Sequence, residues 1–234
     1  MTEIIYPIRI NRYLALKNYC SRRQADNFIK QKQIKINGKI AKLGDKVYEK
    51  DEVKLKAQAK NSQKQRVYLA YNKPVGIETH ASTKGQKDIK EILKFKTRLF
   101  PIGRLDKNSH GLIILTNDGR ITDKLLNPKY EHEKEYLVEV DRPLSANFIK
   151  RVSSGIRLED FYTKKCFAEQ TGKKSFRIIL TEGKKRQIRR MCEALRYNVL
   201  DLKRIRIMNI KLYNLKPGQY REIQGEELKE LTKL

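Results

Sequence analysis

The chain is poor in the residues from which metal sites, disulfides and redox centres are built. Its three cysteines, Cys20, Cys166 and Cys192, lie far apart with no C-x-x-C pair, which supports neither a disulfide framework nor a zinc site. The three histidines, His80, His110 and His132, show no H-x-x-x-H spacing. Glu133 follows His132, yet neither the second histidine of a zinc protease nor the P-C-x-x-C of a nucleobase deaminase accompanies it, so His132 reads as a surface or turn residue. G-x-G-x-x-G and G-x-x-x-x-G-K-[ST] are both missing, which removes the usual cradles for dinucleotides and nucleoside triphosphates. Chemistry without cofactor or metal is the expectation. Long apolar runs are lacking as well: Leu112 to Leu115 is the longest, far short of a membrane span. With no lipidation pattern, no basic amphipathic end segment and no basic stretch followed by an apolar one at Met1 to Tyr6, the expectation is a cytoplasmic protein without a membrane partner.

Acidic residues are the other shortage, 27 against 53 Lys+Arg, which leaves a formal net charge of +26 over 234 residues. Such a charge exceeds what solubility needs and repels itself unless a polyanion meets it, and nucleic acid is the leading candidate. The charge is unevenly shared: residues 1–66 hold 17 Lys+Arg and 6 Asp+Glu, and the remainder 36 and 21. Residues 57–66 are polar and without periodicity, as a linker is. The division predicted is a basic module over 1–60, a connector at 61–66 and a larger domain over 67–234.

Within the small part, Ile10, Tyr13, Leu14 and Lys17 mark one face of a short helix. Ser21-Arg22-Arg23-Gln24 is a capping box opening a second helix with Ala25, Phe28 and Ile29 inward, which leaves Arg22 and Arg23 exposed in its first turn. Ile34 to Ile40 alternates around Asn37-Gly38, a strand, tight turn and return. Two basic helices followed by a small sheet resemble the alpha-L RNA-binding module of a small-subunit ribosomal protein and of several RNA-modifying enzymes; Arg9, Arg12, Arg22 and Arg23 are its expected RNA contacts.

The larger part opens on the alternating run Val67 to Tyr71, stopped by Asn72-Lys73-Pro74-Val75-Gly76. Strands are expected near 99–103, 111–116, 133–140, 164–169, 175–181 and 204–213, and helices near 87–95, 118–126, 145–152, 185–196 and 225–232. Links between strands vary between short turns and helices, so the fold class predicted is α+β, with a mixed, largely antiparallel sheet flanked by helices.

Three stretches carry chemistry. Gly103-Arg104-Leu105-Asp106-Lys107 places one carboxylate in a glycine-bounded turn beside two cations that can keep it ionised and hold a phosphate. Glu133 to Val140 alternates so that Tyr136, Val138 and Val140 share a strand face; Tyr136 is either a core tyrosine or a ring for stacking on an extruded base. In Glu182 to Leu195, Ile188, Met191, Cys192 and Leu195 form one helical stripe with Arg189 on its shoulder and Arg190 near the opposite side. Lys184, Lys185 and Arg186 load the N-terminus of that helix for a phosphate.

Together, Gly103-Arg104-Leu105-Asp106, Lys134-Glu135-Tyr136 and Glu182 to Met191 resemble the three ordered motifs of the pseudouridine synthases, in the branch with a small N-terminal module that modifies ribosomal RNA. The resemblance spans nearly the whole chain, and Lys164-Lys165-Cys166 and Arg204 to Asn209 turn it toward enzymes of the large subunit. It implies Asp106 as the catalytic aspartate, Tyr136 as the tyrosine that stacks on the uracil and acts as base, and Arg189 as the cation paired with Asp106. It further implies that Arg104 fills the gap left by the flipped uridine and that Leu180 lines the base pocket. Leu105, Lys107, Lys185, Arg186, Gln187 and Ile188 would complete the substrate site, and Lys184, Arg190, Arg204 and Arg206 would contact RNA. No cofactor is implied. The partner implied is large-subunit ribosomal RNA, free or in a precursor particle, with transfer RNA a further candidate, met by a monomer. Asp106 either adds to C1′ or takes the C2′ proton. Two rivals stand beside this reading: an RNA-binding or assembly factor without catalysis, and a glycosidic hydrolase using Asp106 with Asp118 as a carboxylate pair.

Overall fold

The structure is a computed structural model that describes residues 4–17, 19–56, 66–80, 89, 93, 95 and 99–233. Most of the expected connector and of the helix expected near 87–95 lies outside the described residues. The chain falls into two compact units, Met1–Arg66 with Asp118–Arg120, and Val67–Asn117 with Ile121–Leu234.

In the first unit, β1 (Ile8–Arg9) leads into α1 (Ile10–Leu16) and pairs antiparallel with β4 (Lys46–Val47). α2 (Arg22–Lys30) starts as its residues predict: the Gln24 N–H donates to Ser21 Oγ at 3.3 Å and the Ser21 N–H to Gln24 Oε1 at 2.9 Å, satisfying two donors that a helix end leaves over. Ala25 and Ile29 are buried, while Phe28 is only partly covered. β2 (Ile34–Ile36) turns back to β3 (Lys39–Ile40) through Asn37 and Gly38, both at positive φ as a tight hairpin requires, and pairs with β5 (Val53–Leu55) on its other side. Ile40 breaks the alternation by standing exposed on the open edge strand. Leu14, Ala25, Ile34 and Val47, wholly withdrawn from water, make the core.

The second unit is built on a nine-stranded sheet among the described residues. Its strands are β6 (Tyr68–Lys73), β7 (Phe100–Ile102), β8 (His110–Thr116), β9 (Lys134–Val140), β10 (Phe167–Gly172), β11 (Ser175–Leu180), β12 (Val199–Ile207), β13 (Ile210–Lys211) and β14 (Tyr220–Glu222). The order is β10-β11-β9-β12-β8-β6-β14, with β7 added on β8 and β13 on β12. All pairings are antiparallel except β12 with β8, which is parallel and only two residues long, Lys203 opposite His110 and Arg204 opposite Gly111. That short seam joins two halves of the sheet. Gly111, at φ +103°, is what lets it close: a Cβ there would stand 2.2 Å from the Arg204 carbonyl oxygen.

The helices are α3 (Arg120–Leu126), α4 (Phe148–Ser153), α5 (Gln187–Ala194) and α6 (Gly225–Thr232). β6 is buried along its whole length and β8 from Gly111 onward, because each is covered on both faces: Ala70, Leu112 and Ile114 with α3 and α6 on one, Leu69, Tyr71, Ile113 and Leu115 with Ile89 and Leu99 on the other. This is why both read as unbroken apolar runs. The other half packs β9, β11 and β12 against α4 and α5, where Phe148 meets Phe176 and Tyr197 edge-on at 5.0 and 4.8 Å.

Two strand expectations are corrected. The strand expected at 204–213 is β12, which starts at Val199 and stops where Met208 takes a left-handed backbone (φ +51°), and β13 then folds back on it. The strand expected at 164–169 begins at Phe167. Among the described residues no helix is long and apolar enough to cross a membrane. Cys20, Cys166 and Cys192 are unpaired thiols whose pKa burial raises, to about 11, 11 and 12.

Candidate active site

The turn carrying Asp106 links β7 to β8 and is tied down from three directions. Thr79, buried, grips the residue before it twice: its hydroxyl donates to the Leu105 carbonyl at 2.8 Å and accepts from the Leu105 N–H at 3.0 Å. The Gly76 N–H donates to the Lys107 carbonyl at 2.9 Å, and the Ser109 N–H closes the turn on the Asp106 carbonyl at 3.0 Å. From α5, Arg189 Nη2 donates to the Asn108 carbonyl at 2.8 Å and to Ser109 Oγ at 3.4 Å, while Nη1 reaches the Val199 carbonyl at 3.0 Å. Leu105 is thereby buried, Asp106 is half-buried, and Arg104 and Lys107 point to solvent.

Leu105 belongs to the same core as Tyr136 on β9, Leu180 at the end of β11 and Ile188 in the first turn of α5. Four separate elements therefore bring four of the expected site residues together beside Asp106. The stripe predicted on α5 is the buried one, with Met191 and Cys192 fully withdrawn, and Arg189 is buried with it.

Arg189 is not directly paired with Asp106. Its guanidinium is taken up by the Asn108 carbonyl and Ser109 hydroxyl of the turn and by the Val199 carbonyl of β12, the acceptors within reach of its rigid fork. It senses Asp106 at longer range: burial and then repulsion from Arg186 lower its pKa, and Asp106 and Asp201 hold it up. A second cation is absent from the sequence-based expectations. Lys73 is wholly buried at the end of β6, donating to the Pro74 carbonyl at 2.9 Å and the Ile77 carbonyl at 2.6 Å. Burial brings its pKa down to about 8, against the pull of Asp106, with Arg204 pushing it lower and Glu78 holding it up. Its one signal in the sequence is a lysine closing an otherwise apolar run immediately before proline.

Several expected contacts lie elsewhere. Arg204, expected on RNA, is interior: Nε donates to the Leu112 carbonyl at 2.7 Å and the guanidinium stands 6.0 Å from the centre of the Tyr136 ring. Arg206 is held by Glu135 and Glu133, and Arg177 completes that group by pairing with Glu135 at 2.9 Å and Glu169 at 3.0 Å. Gln187 is buried, donating to Glu182 Oε1 at 2.6 Å and accepting from the Lys184 N–H at 3.1 Å, so it pins the loop before α5. Arg190 pairs with Asp160 and lies 5.3 Å from the centre of the Phe161 ring. Lys184, Lys185 and Arg186 remain exposed at the start of α5, as do Arg9, Arg12, Arg22 and Arg23 in the first unit. His132, expected as a surface or turn residue, lies outside helix and strand, is half-buried and stacks on Tyr130 at 5.8 Å between centroids; burial lowers its pKa.

The carboxylate-pair rival fails on Asp118. Arg120 takes both of its oxygens, Nε on Oδ1 at 2.8 Å and Nη2 on Oδ2 at 2.5 Å, and the Arg120 N–H donates to Oδ1, so Asp118 opens α3 rather than acting as acid or base.

An α+β sheet unit with one half-buried aspartate beside an apolar core that includes a tyrosine, together with a separate basic module, is the arrangement expected of an RNA-modifying enzyme. The model of the RNA pseudouridylate synthase family matches residues 67–194, and that of the S4 domain matches residues 8–53. The chain belongs to the RNA pseudouridylate synthases, and its partner is RNA. It is 42% identical over 97% of its length to the dual-specificity RNA pseudouridine synthase RluF of Escherichia coli K12, covering 79% of that protein. It is 36% identical over 97% of its length to the ribosomal large subunit pseudouridine synthase B of Bacillus subtilis, covering 96% of that protein. A crystal structure of a pseudouridylate synthase superposes over 96% of this chain and all of the other, with a TM-score of 0.71 and 29% identity.

Proposed function

We propose that the chain isomerises uridine to pseudouridine in large-subunit ribosomal RNA, acting in the cytoplasm as a monomer, with 1–60 as RNA-binding module, 61–66 as connector and 67–234 as catalytic domain. The observation that carries the catalytic part is the convergence of Leu105, Tyr136, Leu180 and Ile188 on one core next to Asp106. The reaction breaks the N1–C1′ bond, turns the uracil within its pocket and joins C5 to C1′, and the C5 proton moves to N1 by way of a base. Nothing is gained or lost overall, so the pocket has to hold a flipped base, keep it from leaving, and offer one reacting carboxylate.

Asp106 supplies that carboxylate, and its immobilised turn keeps it at the sugar. Tyr136 stacks on the base and moves the proton, with Leu105, Leu180 and Ile188 as the apolar walls. Arg104, exposed beside Asp106, enters the helix where the uridine has left. Arg189 sets the turn, Lys73 is a second buried cation within the field of Asp106, and Arg204 lies beside Tyr136 as an interior cation. Lys107, Lys185 and Arg186 hold flanking phosphates, and Arg9, Arg12, Arg22 and Arg23 engage a more distant part of the RNA.

Site-resolved pseudouridine mapping of total RNA, transfer RNA included, from cells with and without the protein tests the assignment. The expected result is one or a few large-subunit positions that vanish without it and are not restored by Asp106→Asn, whose RNA affinity stays within a few-fold. Restoration by Asp106→Asn would overturn the role of Asp106, and unchanged ribosomal positions would overturn the substrate.

A further inference from the structure

We propose that a cleft at the C-terminal end of α5 is a second RNA contact, in which a base of the substrate stacks on Tyr162 while Lys150, Arg151 and Arg157 hold the adjoining phosphates. The inference rests on the chain acting on RNA and concerns nucleotides away from the target uridine. The cleft has a volume of about 650 Å³ and lies wholly within the second unit, between α4, the 155–162 segment and Leu195.

Three observations single it out. The first is the state of its cations. Elsewhere in this unit the exposed or half-exposed arginines are largely neutralised by carboxylates: Arg142 by Asp141, Arg177 by Glu135 and Glu169, Arg190 by Asp160, Arg206 by Glu133, Arg221 by Glu227. Lys150, Arg151 and Arg157 are exposed, and among the described residues none makes an ion pair or a side-chain hydrogen bond. Three unneutralised cations on one concavity, in a protein already far in excess of positive charge, are an anion site by Coulomb's law and by the release of counterions that phosphate binding brings.

The second is the ring. Tyr162 is 64% exposed, yet it is not adrift. It sits opposite Arg157 in a β-bridge, so the two side chains leave the same face, and its hydroxyl donates to the Gly155 carbonyl at 3.2 Å. One side of the ring lies on backbone that only glycine permits: at Gly155, φ +92°, a Cβ would come within 2.7 Å of Tyr162 Cε1. A tyrosine tethered by its hydroxyl and along one side of its ring, and still largely exposed, can serve as a stacking platform, and every base has a π-face to place on it. A cleft of this kind favours nucleic acid over an acidic peptide, which would use the cations and leave the ring unemployed.

The third is position. The expected base pocket takes Ile188 from the first turn of α5, and the cleft takes Ala194 and Leu195 from its end. Eight residues of helix span about 12 Å, which is roughly three to four nucleotides of a stacked strand. One RNA strand can therefore occupy both.

The test uses the full chain and two RNAs, a long fragment around the mapped uridine and a minimal stem-loop cut to its immediate neighbours. On the long RNA, Tyr162→Ala should raise KM roughly tenfold with kcat unchanged, as loss of one stacked base does, while Tyr162→Phe stays near wild type. The Arg151→Gln, Arg157→Gln double variant should flatten the dependence of log affinity on log salt by about 1.4, about 0.7 for each single-strand phosphate contact. On the minimal RNA all should match wild type. 4-Thiouridine placed a few nucleotides from the target should crosslink to peptides containing Tyr162. Unchanged KM and salt slope on the long RNA, or crosslinks that avoid the cleft while an acidic peptide protects it, would overturn the proposal. A wild type that crosslinks at Tyr162 but makes no pseudouridine in ribosomal RNA would sink the assignment of substrate and leave this contact standing.

Discussion

Thr79→Val is the substitution whose consequences follow most directly from the geometry around Asp106. Valine has nearly the shape of threonine, so the buried volume is kept and only the hydroxyl is lost. That hydroxyl serves both the N–H and the C=O of Leu105, in a place water does not reach. Leaving one buried donor and one buried acceptor unsatisfied costs about 1–3 kcal/mol each, so about 2–5 kcal/mol in all after partial relaxation. For a unit of this size that lowers Tm by roughly 5–15 °C. The effect on the reaction should be larger than on binding, since Leu105 adjoins the carboxylate, and a shift of about 1 Å at a reacting group can lower turnover by about 100-fold. Urea or thermal unfolding, followed by single-turnover pseudouridine formation at saturating RNA, measures both. Thr79→Ser, which keeps the hydroxyl, should recover most of the rate. A valine variant with wild-type melting and turnover would refute the claim that Thr79 places Asp106.

Two further outcomes are expected. Gly111→Ala should fail to give folded second unit, or lower its stability by more than about 4 kcal/mol, because the new Cβ meets the Arg204 carbonyl at 2.2 Å on backbone at φ +103°; circular dichroism and a limited-proteolysis time course report it, and a wild-type melt would count against the seam as described. Lys73 has a folded pKa of about 8, below its ordinary 10.5. The unfolded chain therefore binds more protons between those values, and wild type should gain stability relative to Lys73→Met as pH rises from 8 to 10.5, by an amount on the order of 3 kcal/mol. Parallel stability curves for the two proteins over that range would show that Lys73 is not a desolvated cation.

Local signals with their own chemistry are legible in the amino-acid sequence by itself. Ser21 and Gln24 cap each other as their spacing predicts, Asn37-Gly38 makes its hairpin, and the stripe on α5 is buried where its period places it. Side chains whose partners come from distant strands are not legible in this way. Arg204, Arg206, Gln187 and Arg190 look like free polar or basic residues in a row of letters, and their carbonyl and carboxylate partners lie up to 92 positions away. Lys73 and Thr79 are silent for the same reason: their importance lies in carbonyls and amides, which every residue carries. β14 escapes a pattern search because its three residues carry no apolar pattern, and the start of β12 is displaced in one because interior Arg204 interrupts the run.

The two-residue seam between β8 and β12 has a consequence for when the enzyme becomes an enzyme. Asp106 enters on one side of that seam, whereas Tyr136, Leu180 and Arg189 belong to elements on the other. β12 is the strand that slots between β8 and β9, and it is made about ninety residues after β8. At synthesis rates of roughly 5–20 residues per second, the turn that carries Asp106 is made some 5–20 s before the strand that joins it to the Tyr136 side. The first unit is complete throughout that interval, so on the proposed assignment the RNA contacts of the basic module are made before the site they serve.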